Sequence, residues 1–226
     1  IENSRKKGNI NILKVDKDDN KTTIEGVEFD LLDSTGKNII KHVKTDKNGK
    51  AEIKNLDIGK YILRETKTRK EYKIALEQNI TIEWGKTLNL TIENEKMKGK
   101  VKITKISEDD NLITGEVAGT PIANVKFEIY DDSGKLVDTL ITKADGIAIS
   151  KDLVVGKYIV KEKETGEYYE INENDFEVEI TKNGEVVGLT ISNKSKTPPP
   201  EKPKEETPKI EVPPIEPIKK LPVTGY

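Results

Sequence analysis

The chain contains an internal repeat, and this repeat constrains the fold more than any other feature of the sequence. The segment IGKYILRETK at residues 58–67 returns as VGKYIVKEKE at residues 155–164, and the glycines and aromatic residues around both copies keep the same spacing. The second copy is longer mainly near residues 111–124, as expected of an insertion in a surface loop. We therefore predict two homologous domains, at residues 8–98 and 99–196.

Each repeat has the sequence pattern of β-strands. Apolar and polar residues alternate in NINILKV (9–15), VEFDLL (27–32) and LNLTIEN (88–94), which is the period of a half-buried strand. Turn segments with Asp or Asn and Gly, such as DSTGK and KNGE, separate the strands. No segment has a sustained helical period. We predict an all-β chain in which each domain is an antiparallel β-sandwich.

The composition limits the classes of function. Charged residues make up 35% of the chain and hydrophobic residues 33%, so each core is small. The formal net charge is −2 and no basic face accumulates, so we predict no nucleic-acid partner. Because no apolar run is long enough to span a bilayer, we predict no membrane association of the mature form. Cysteine is absent, which excludes disulfides, thiol nucleophiles and zinc held by cysteine.

The sequence changes abruptly at Thr197. Nine of the 10 prolines lie between Pro198 and Pro222, mixed with Glu and Lys. Such a segment cannot bury a core and favours an extended polyproline II conformation. We interpret residues 197–220 as an extended spacer, with a reach on the order of 75 Å at ~3.1 Å per residue.

Three polar residues in each domain end strand faces that are otherwise apolar, since side chains two positions apart share a face. Any one of them alone would be interpreted as a side chain that leaves the core and reaches into water. The same three residue types recur in the same order in both repeats, however, and an isolated buried charge is costly. We therefore predict two buried Lys–Glu–Asn triplets: Lys14, Glu65 and Asn94, and Lys105, Glu162 and Asn193.

A buried cluster of this composition suggests a covalent reaction. Burial lowers the pKa of a lysine and raises that of a carboxyl group, so both groups can be neutral at ordinary pH. A neutral amine is a nucleophile and the asparagine carboxamide carbon an electrophile, while a protonated carboxyl group can hydrogen-bond the carbonyl oxygen and then pass a proton to the departing ammonia. We predict one amide bond per domain, between Lys14 and Asn94 assisted by Glu65, and between Lys105 and Asn193 assisted by Glu162.

These reactions need neither a cofactor nor a metal, and we predict no enzymatic activity on an external substrate. The segment DKDDN at residues 16–20 is rich in oxygen ligands, as a calcium loop would be. Counting from Asp16, however, the positions at which a calcium loop of the EF-hand type needs Gly and Glu hold Lys21 and Val27. We interpret this segment as a solvated turn.

The residues around the two triplets resemble the Cna B-type domains, also called SpaA-like, of Gram-positive adhesins and pilins. The resemblance rests on LKVD at 13–16, YILRET at 61–66 and TIEN at 91–94, and it covers nearly all of residues 8–196. It implies Ig-like or prealbumin-like β-sandwiches with a Lys–Asn isopeptide bond and an assisting glutamate. Carried over residue by residue, it implies the same two triplets.

The segment IENSRKKG at residues 1–8 is similar to IENEKMKG at residues 92–99. In this alignment Asn3 takes the place of Asn94. We interpret residues 1–7 as the last strand of a preceding domain, with Asn3 as an acceptor that stays unreacted here.

The segment Leu221, Pro222, Val223, Thr224, Gly225 matches the LPxTG signal read by sortases. We interpret residues 221–226 as a truncated sorting signal. The resemblance implies that a sortase cleaves after Thr224 and joins its carbonyl to an amine of peptidoglycan or of another pilin. It therefore implies a secreted protein that is covalently anchored to the Gram-positive cell wall.

Three functions are consistent with this organisation. The first, which we favour, is a stalk or minor pilin whose upstream domains meet the host matrix. The second is a ligand-binding adhesin in which one of these repeats itself contacts host matrix. The third is the spacer of a wall-anchored enzyme whose catalytic domain lies upstream.

Overall fold

A computed structural model describes residues 6–198 of the chain, which form fifteen β-strands. This part of the chain contains no helix, and so none that is long and apolar enough to cross a membrane. The first repeat forms β1 (Lys7–Asp16), β2 (Glu28–Asp33), β3 (Ile39–Lys44), β4 (Lys50–Asp57), β5 (Gly59–Lys67), β6 (Gln78–Ile82) and β7 (Thr87–Asn94). The second forms β8 (Lys98–Ser107), β9 (Lys126–Asp131), β10 (Leu136–Ile141), β11 (Ile147–Ile149), β12 (Leu153–Val154), β13 (Gly156–Glu164), β14 (Asp175–Ile180) and β15 (Val186–Asn193).

Each repeat folds into two β-sheets around one core, which confirms the predicted pair of β-sandwiches. In the first domain a sheet of order β4-β1-β7 faces a sheet of order β3-β2-β5-β6. In the second domain β8 lies between β15 and the short strands β11 and β12, and this sheet faces one of order β10-β9-β13-β14. The two domains therefore share one topology.

The first and last strands of each domain run parallel. β1 pairs with β7 from Asn9↔Thr87 to Asp16↔Asn94, and β8 pairs with β15 in the same way. The other strand pairings of residues 6–198 are antiparallel, as predicted. Alternation of apolar and polar residues indicates which face of a strand is buried but not the direction of the strand. The parallel pair was therefore not visible in the sequence.

The core of each domain consists of alternate side chains from facing sheets. The first contains Ile10 and Ile12 of β1, Phe29 and Leu31 of β2, and Leu63 of β5. The second repeats this set with Val101, Ile103, Phe127, Ile129 and Val160. Full burial of each such side chain stabilises the fold by roughly 1.5–3 kcal/mol. The polar triplets lie on the same strand faces.

A hairpin glycine fixes the backbone around Lys14. Gly49 has a φ of +68°, a conformation that favours glycine, and a Cβ atom at this position would lie 2.6 Å from the backbone oxygen of Lys14. The Gly49 carbonyl accepts a hydrogen bond from the Lys14 amide at 2.8 Å. Gly146 has the same relationship to Lys105 in the second domain. The turn and the first strand thus pack backbone against backbone.

Three residues connect the two domains between Asn94 and Lys98. The Met97 amide donates a hydrogen bond to the Glu71 carbonyl at 2.8 Å in the first domain, and the Met97 carbonyl accepts one from the Val155 amide at 3.0 Å in the second. Lys98 also forms an ion pair with Asp18, with 2.8 Å between Nζ and Oδ2. The connection is therefore bonded to both domains.

Candidate cross-linking sites

Lys14 lies in the interior of the first domain. Its side chain is 0% exposed, which is rare for a lysine. Its Nζ atom lies 2.5 Å from Oδ1 of Asn94 and 3.0 Å from Oε2 of Glu65. The amine is thus in direct contact with both of its predicted partners.

Glu65 and Asn94 reach this point from opposite sheets of the sandwich. Glu65 lies on β5 and Asn94 is the last residue of β7, and both are buried. Nδ2 of Asn94 donates hydrogen bonds to Oε1 of Glu65 at 2.6 Å and to Oγ1 of Thr68 at 2.8 Å. The carboxyl group therefore contacts both the amine and the amide nitrogen.

The second domain repeats this geometry. Lys105 is 0% exposed, its Nζ atom donates to Oε2 of Glu162 at 2.8 Å, and it also donates to Oδ1 of Asn193. Nδ2 of Asn193 donates to Oε1 of Glu162 at 2.5 Å and to Oγ1 of Thr165 at 2.9 Å. The Phe127 ring covers the amine, with its centroid 5.8 Å from Nζ. The structure thus brings all six predicted residues together as two triplets.

The dry surroundings change the protonation of the amines. Burial lowers the pKa of Lys14 and of Lys105, and this effect exceeds the opposing attraction of the neighbouring glutamate in each domain. In the first domain Oε2 of Glu65 is buried and accepts no hydrogen bond of good geometry, although Nζ of Lys14 lies 3.0 Å away. Burial thus favours the neutral amine, which is the nucleophilic form.

The glutamate contacts a different amide atom from the one expected. In the reaction predicted from the sequence, the carboxyl group hydrogen-bonds the carbonyl oxygen of the asparagine. In the structure Glu65 and Glu162 accept hydrogen bonds from Nδ2, and each carbonyl oxygen faces the lysine amine. The carboxyl group is therefore next to the nitrogen that the predicted reaction would release as ammonia, where that reaction would need a proton.

Sequence reasoning missed Thr68 and Thr165, which contact the asparagine amides. Each lies one position beyond the end of its strand, where the alternating pattern no longer indicates a face. In both repeats the threonine follows the glutamate by three residues, and this shared spacing could have identified it as part of the site.

It also missed a buried polar contact close to the first triplet. Asp16 is 0% exposed, and its Oδ2 atom accepts a hydrogen bond from the Tyr72 hydroxyl at 2.8 Å and pairs with Nζ of Lys96 at 2.6 Å. The interpretation of Asp16 as part of a solvated turn was therefore wrong. Residues 6–198 contain no cluster of three or more His, Asp or Glu side chains that would hold a metal ion.

The second domain builds the corresponding contact differently. Ser107 occupies the position of Asp16, and the Tyr169 hydroxyl donates instead to Oε2 of Glu116 at 2.9 Å. Glu116 lies in the inserted loop of residues 111–124. In the second domain the inserted loop thus supplies the carboxylate that accepts the tyrosine hydrogen bond, because β8 has a serine at this position.

Two of the sequence predictions fall outside the described residues. These are the acceptor Asn3 in residues 1–5, and the sorting signal Leu221–Gly225 with nearly all of the proline-rich spacer in residues 199–226.

Two tandem prealbumin-like β-sandwiches, each with a buried triplet of a Lys on its first strand, an Asn on its last strand and a Glu on the facing sheet, define a chain of pilin- and adhesin-like domains. The sequence matches the family described as SpaA, prealbumin-like fold domain, over residues 8–96 and 99–195. The chain belongs to this family, which confirms the resemblance inferred from the sequence.

Several known proteins are similar to parts of this chain. The trypsin-resistant surface T6 protein of Streptococcus pyogenes serotype M6 is 33% identical over 81 residues, which are 36% of this chain and 15% of that protein. The collagen adhesin of Staphylococcus aureus is 34% identical over 99 residues, which are 38% of this chain and 8% of that protein. The structure of the Bacillus anthracis TIE protein has a TM-score of 0.71 and 29% identity, with 84% of this chain and 34% of that chain covered. The chain therefore spans about a third or less of each of these proteins.

Proposed function

We propose that the chain is the wall-proximal stalk of a Gram-positive surface protein, the stem of a minor pilin or an adhesin, and that one Lys–Asn isopeptide bond closes each domain. The observation that carries the proposal is the contact, made twice, between a buried lysine amine, a buried asparagine amide and a glutamate. Removal of two charged or polar partners from water is costly unless they satisfy one another. In the covalent product the lysine nitrogen is part of a neutral amide, so no charged amine has to be kept out of water.

The proposed reaction balances within each domain. Nζ of Lys14 forms a bond to Cγ of Asn94, and the bond from Cγ to Nδ2 breaks. One proton of the amine passes through the Glu65 carboxyl group, which contacts both nitrogens, to Nδ2. The nitrogen leaves as ammonia and Glu65 returns to its initial state.

The strand topology gives this bond a mechanical role. The chain enters the first domain on β1 and leaves it on β7, and these strands run parallel, so tension applied to the two ends shears their pairing. With Lys14 bonded to Asn94, tension passes from β1 directly to the end of β7 and bypasses residues 15–93. The second domain would bypass residues 106–192 in the same way. Force on the two ends of the chain can then not unfold and extend the bypassed residues of either domain.

The anchoring of the stalk completes the proposal. A sortase would read Leu221–Gly225 and join Thr224 to peptidoglycan or to another pilin, and the proline-rich segment would span the cell wall. The relatives named as a surface protein and as an adhesin support a location at the cell surface. Asn3 would be the acceptor of a further domain upstream, and domains upstream would meet the host matrix.

Intact-mass spectrometry of the purified chain tests the proposal. The expected mass is that of the sequence less two molecules of ammonia, and a digest should contain branched peptides that join Lys14 to Asn94 and Lys105 to Asn193. The Lys14→Ala variant should lose only one ammonia. A wild-type mass equal to that of the sequence would refute the isopeptide bonds.

The name of one relative favours a second candidate, in which these domains themselves contact host matrix. Binding of the two-domain chain to immobilised collagen distinguishes the candidates. A pure stalk should give no saturable binding, whereas an adhesin domain should give binding that persists in the Lys14→Ala variant if the contact surface lies in the second domain.

A further inference from the structure

In both domains the asparagine amide nitrogen has a second partner besides the glutamate. Oγ1 of Thr68 accepts a hydrogen bond from Nδ2 of Asn94 at 2.8 Å, and Oγ1 of Thr165 accepts one from Nδ2 of Asn193 at 2.9 Å. An amide nitrogen carries two hydrogens. The glutamate and the threonine therefore hold both of them, and the orientation of the amide is fully specified.

The two threonines are more exposed than the amides that they contact. Thr68 is the first residue after β5 and Thr165 the first after β13, and both are half-buried, whereas both asparagines are buried. The amide nitrogen of each asparagine thus contacts a side chain that is partly accessible to solvent.

The repeats keep this threonine in a stretch that otherwise differs between them. The two residues between glutamate and threonine are Thr66 and Lys67 in the first domain and Lys163 and Glu164 in the second. These intervening side chains are exposed and differ in charge, so surface chemistry does not explain the shared threonine. What the copies have in common is the contact with the amide nitrogen.

We propose that Thr68 and Thr165 are catalytic residues of isopeptide formation, which hold the leaving nitrogen in the reactive orientation. This inference rests on the function proposed above. A half-turn of the carboxamide would exchange its oxygen and nitrogen, and would place the oxygen beside the carboxyl group and the amino group beside the lysine. With the threonine as acceptor, both hydrogens of the buried Nδ2 are satisfied in the observed arrangement, in which the lysine faces the carbonyl and the glutamate faces the leaving nitrogen.

The threonine takes no part in the overall proton balance. Its hydroxyl oxygen accepts a hydrogen bond from an N–H group of the amide at the start and from the departing ammonia at the end. The proton that Nδ2 gains comes from the lysine through the glutamate, as described above. Loss of the hydroxyl should therefore slow the reaction without preventing it.

Refolding kinetics test this role. Unreacted chain, recovered unfolded from inclusion bodies, is diluted into buffer, and samples are analysed over time by intact mass and by peptide mapping of each cross-link. Thr68→Val removes the hydroxyl at nearly constant volume and should slow the Lys14–Asn94 bond by roughly two- to tenfold, the range of a single net hydrogen bond. Thr68→Ser should restore a rate near that of the wild type. The Lys105–Asn193 bond of the same molecules is the internal reference, and its rate of formation should be unchanged.

The outcomes separate this inference from the function on which it rests. Thr68→Val with a folded first domain and a wild-type rate for its bond would overturn the role of the threonine and leave the isopeptide proposal intact. Wild-type chain that forms neither bond would refute the proposed function itself. Folding is scored separately by amide exchange of β1. Should Thr68→Val not fold, the mirror variant Thr165→Val, timed against the Lys14–Asn94 bond, decides the question.

Discussion

Lys14 is in register with Ile92, yet its Nζ atom lies 2.5 Å from Oδ1 of Asn94, two residues further along β7. In a parallel pair the next side chain on the same face lies about 6.6 Å further along the strand. The four-carbon stem of lysine spans this distance, and Lys105 makes the same diagonal contact from its register position opposite Ile191. The length of the side chain, as well as its amine, therefore suits lysine to this position.

Each glutamate should control only the bond of its own domain. Glu65→Gln removes the carboxyl group that contacts both nitrogens while it keeps the shape of the side chain. We expect this variant to lose one ammonia instead of two, with the Lys14–Asn94 peptide absent from the digest. Glu162→Gln is the matched control and should lack only the Lys105–Asn193 peptide. Normal formation of both bonds in Glu65→Gln would contradict the assignment.

Single-molecule stretching should show the effect of the bond on force. The wild-type chain should reach its contour length without an unfolding step in either domain. Lys14→Ala should add one step on the order of 250 Å, because residues 15–93 are then free to extend at ~3.3–3.6 Å each. A step of this size in cross-linked wild-type chain would contradict the proposed path of the force.

Loss of a cross-link should reduce equilibrium stability. Asn193→Ala removes the acceptor but keeps the ion pair of Lys105 with Glu162 at 2.8 Å. By analogy with a disulfide that closes a loop of similar length, the free energy of unfolding of the second domain should fall by about 4–5 kcal/mol. Urea denaturation measures this change, and Lys143→Met at an exposed position is the control. A change of less than about 1 kcal/mol would show that the bond does not form.

The Tyr72 hydroxyl should stabilise the first domain through Asp16. Burial acts to raise the pKa of Asp16, but hydrogen bonds from Lys96 and Tyr72 hold it below its usual range. Tyr72→Phe should cost about 1.5–3 kcal/mol in free energy of unfolding, because it leaves a buried carboxylate with one donor fewer. Tyr169→Phe, whose partner Glu116 is more exposed, should cost less. Equal costs would show that burial of the acceptor is unimportant.

Cross-link formation should accelerate as the pH rises. Only the neutral amine reacts, and burial lowers the pKa of Lys14, so the neutral fraction grows at pH values below the ordinary lysine pKa of 10.5. For the same reason the folded, unreacted Asn94→Ala domain binds fewer protons than the unfolded chain, and its stability should rise with pH within this window. Mass-resolved refolding at several pH values measures the rate. A rate that falls with pH would contradict nucleophilic attack by the amine.

The sequence predicted the features that depend on local periodicity and on the repeat. Lys14 and Asn94 were predicted to lie on buried faces because they continue apolar alternation, and the same residue types in the second copy argued against coincidence. The burial of Asp16 was not predictable in this way, because its partner Tyr72 lies 56 residues away. Thr68 was missed because it follows the end of a strand, where turn geometry determines the direction of its side chain.

The short connection at Met97 has a consequence for how such proteins diversify. If both bonds form, the backbone under load between them is only the stretch from Asn94 to Lys105, which includes this connection. The inserted loop at residues 111–124 and most of both sandwiches lie outside it. In that case mutations and insertions there would change the surface of the domains and leave the load-bearing backbone as it is.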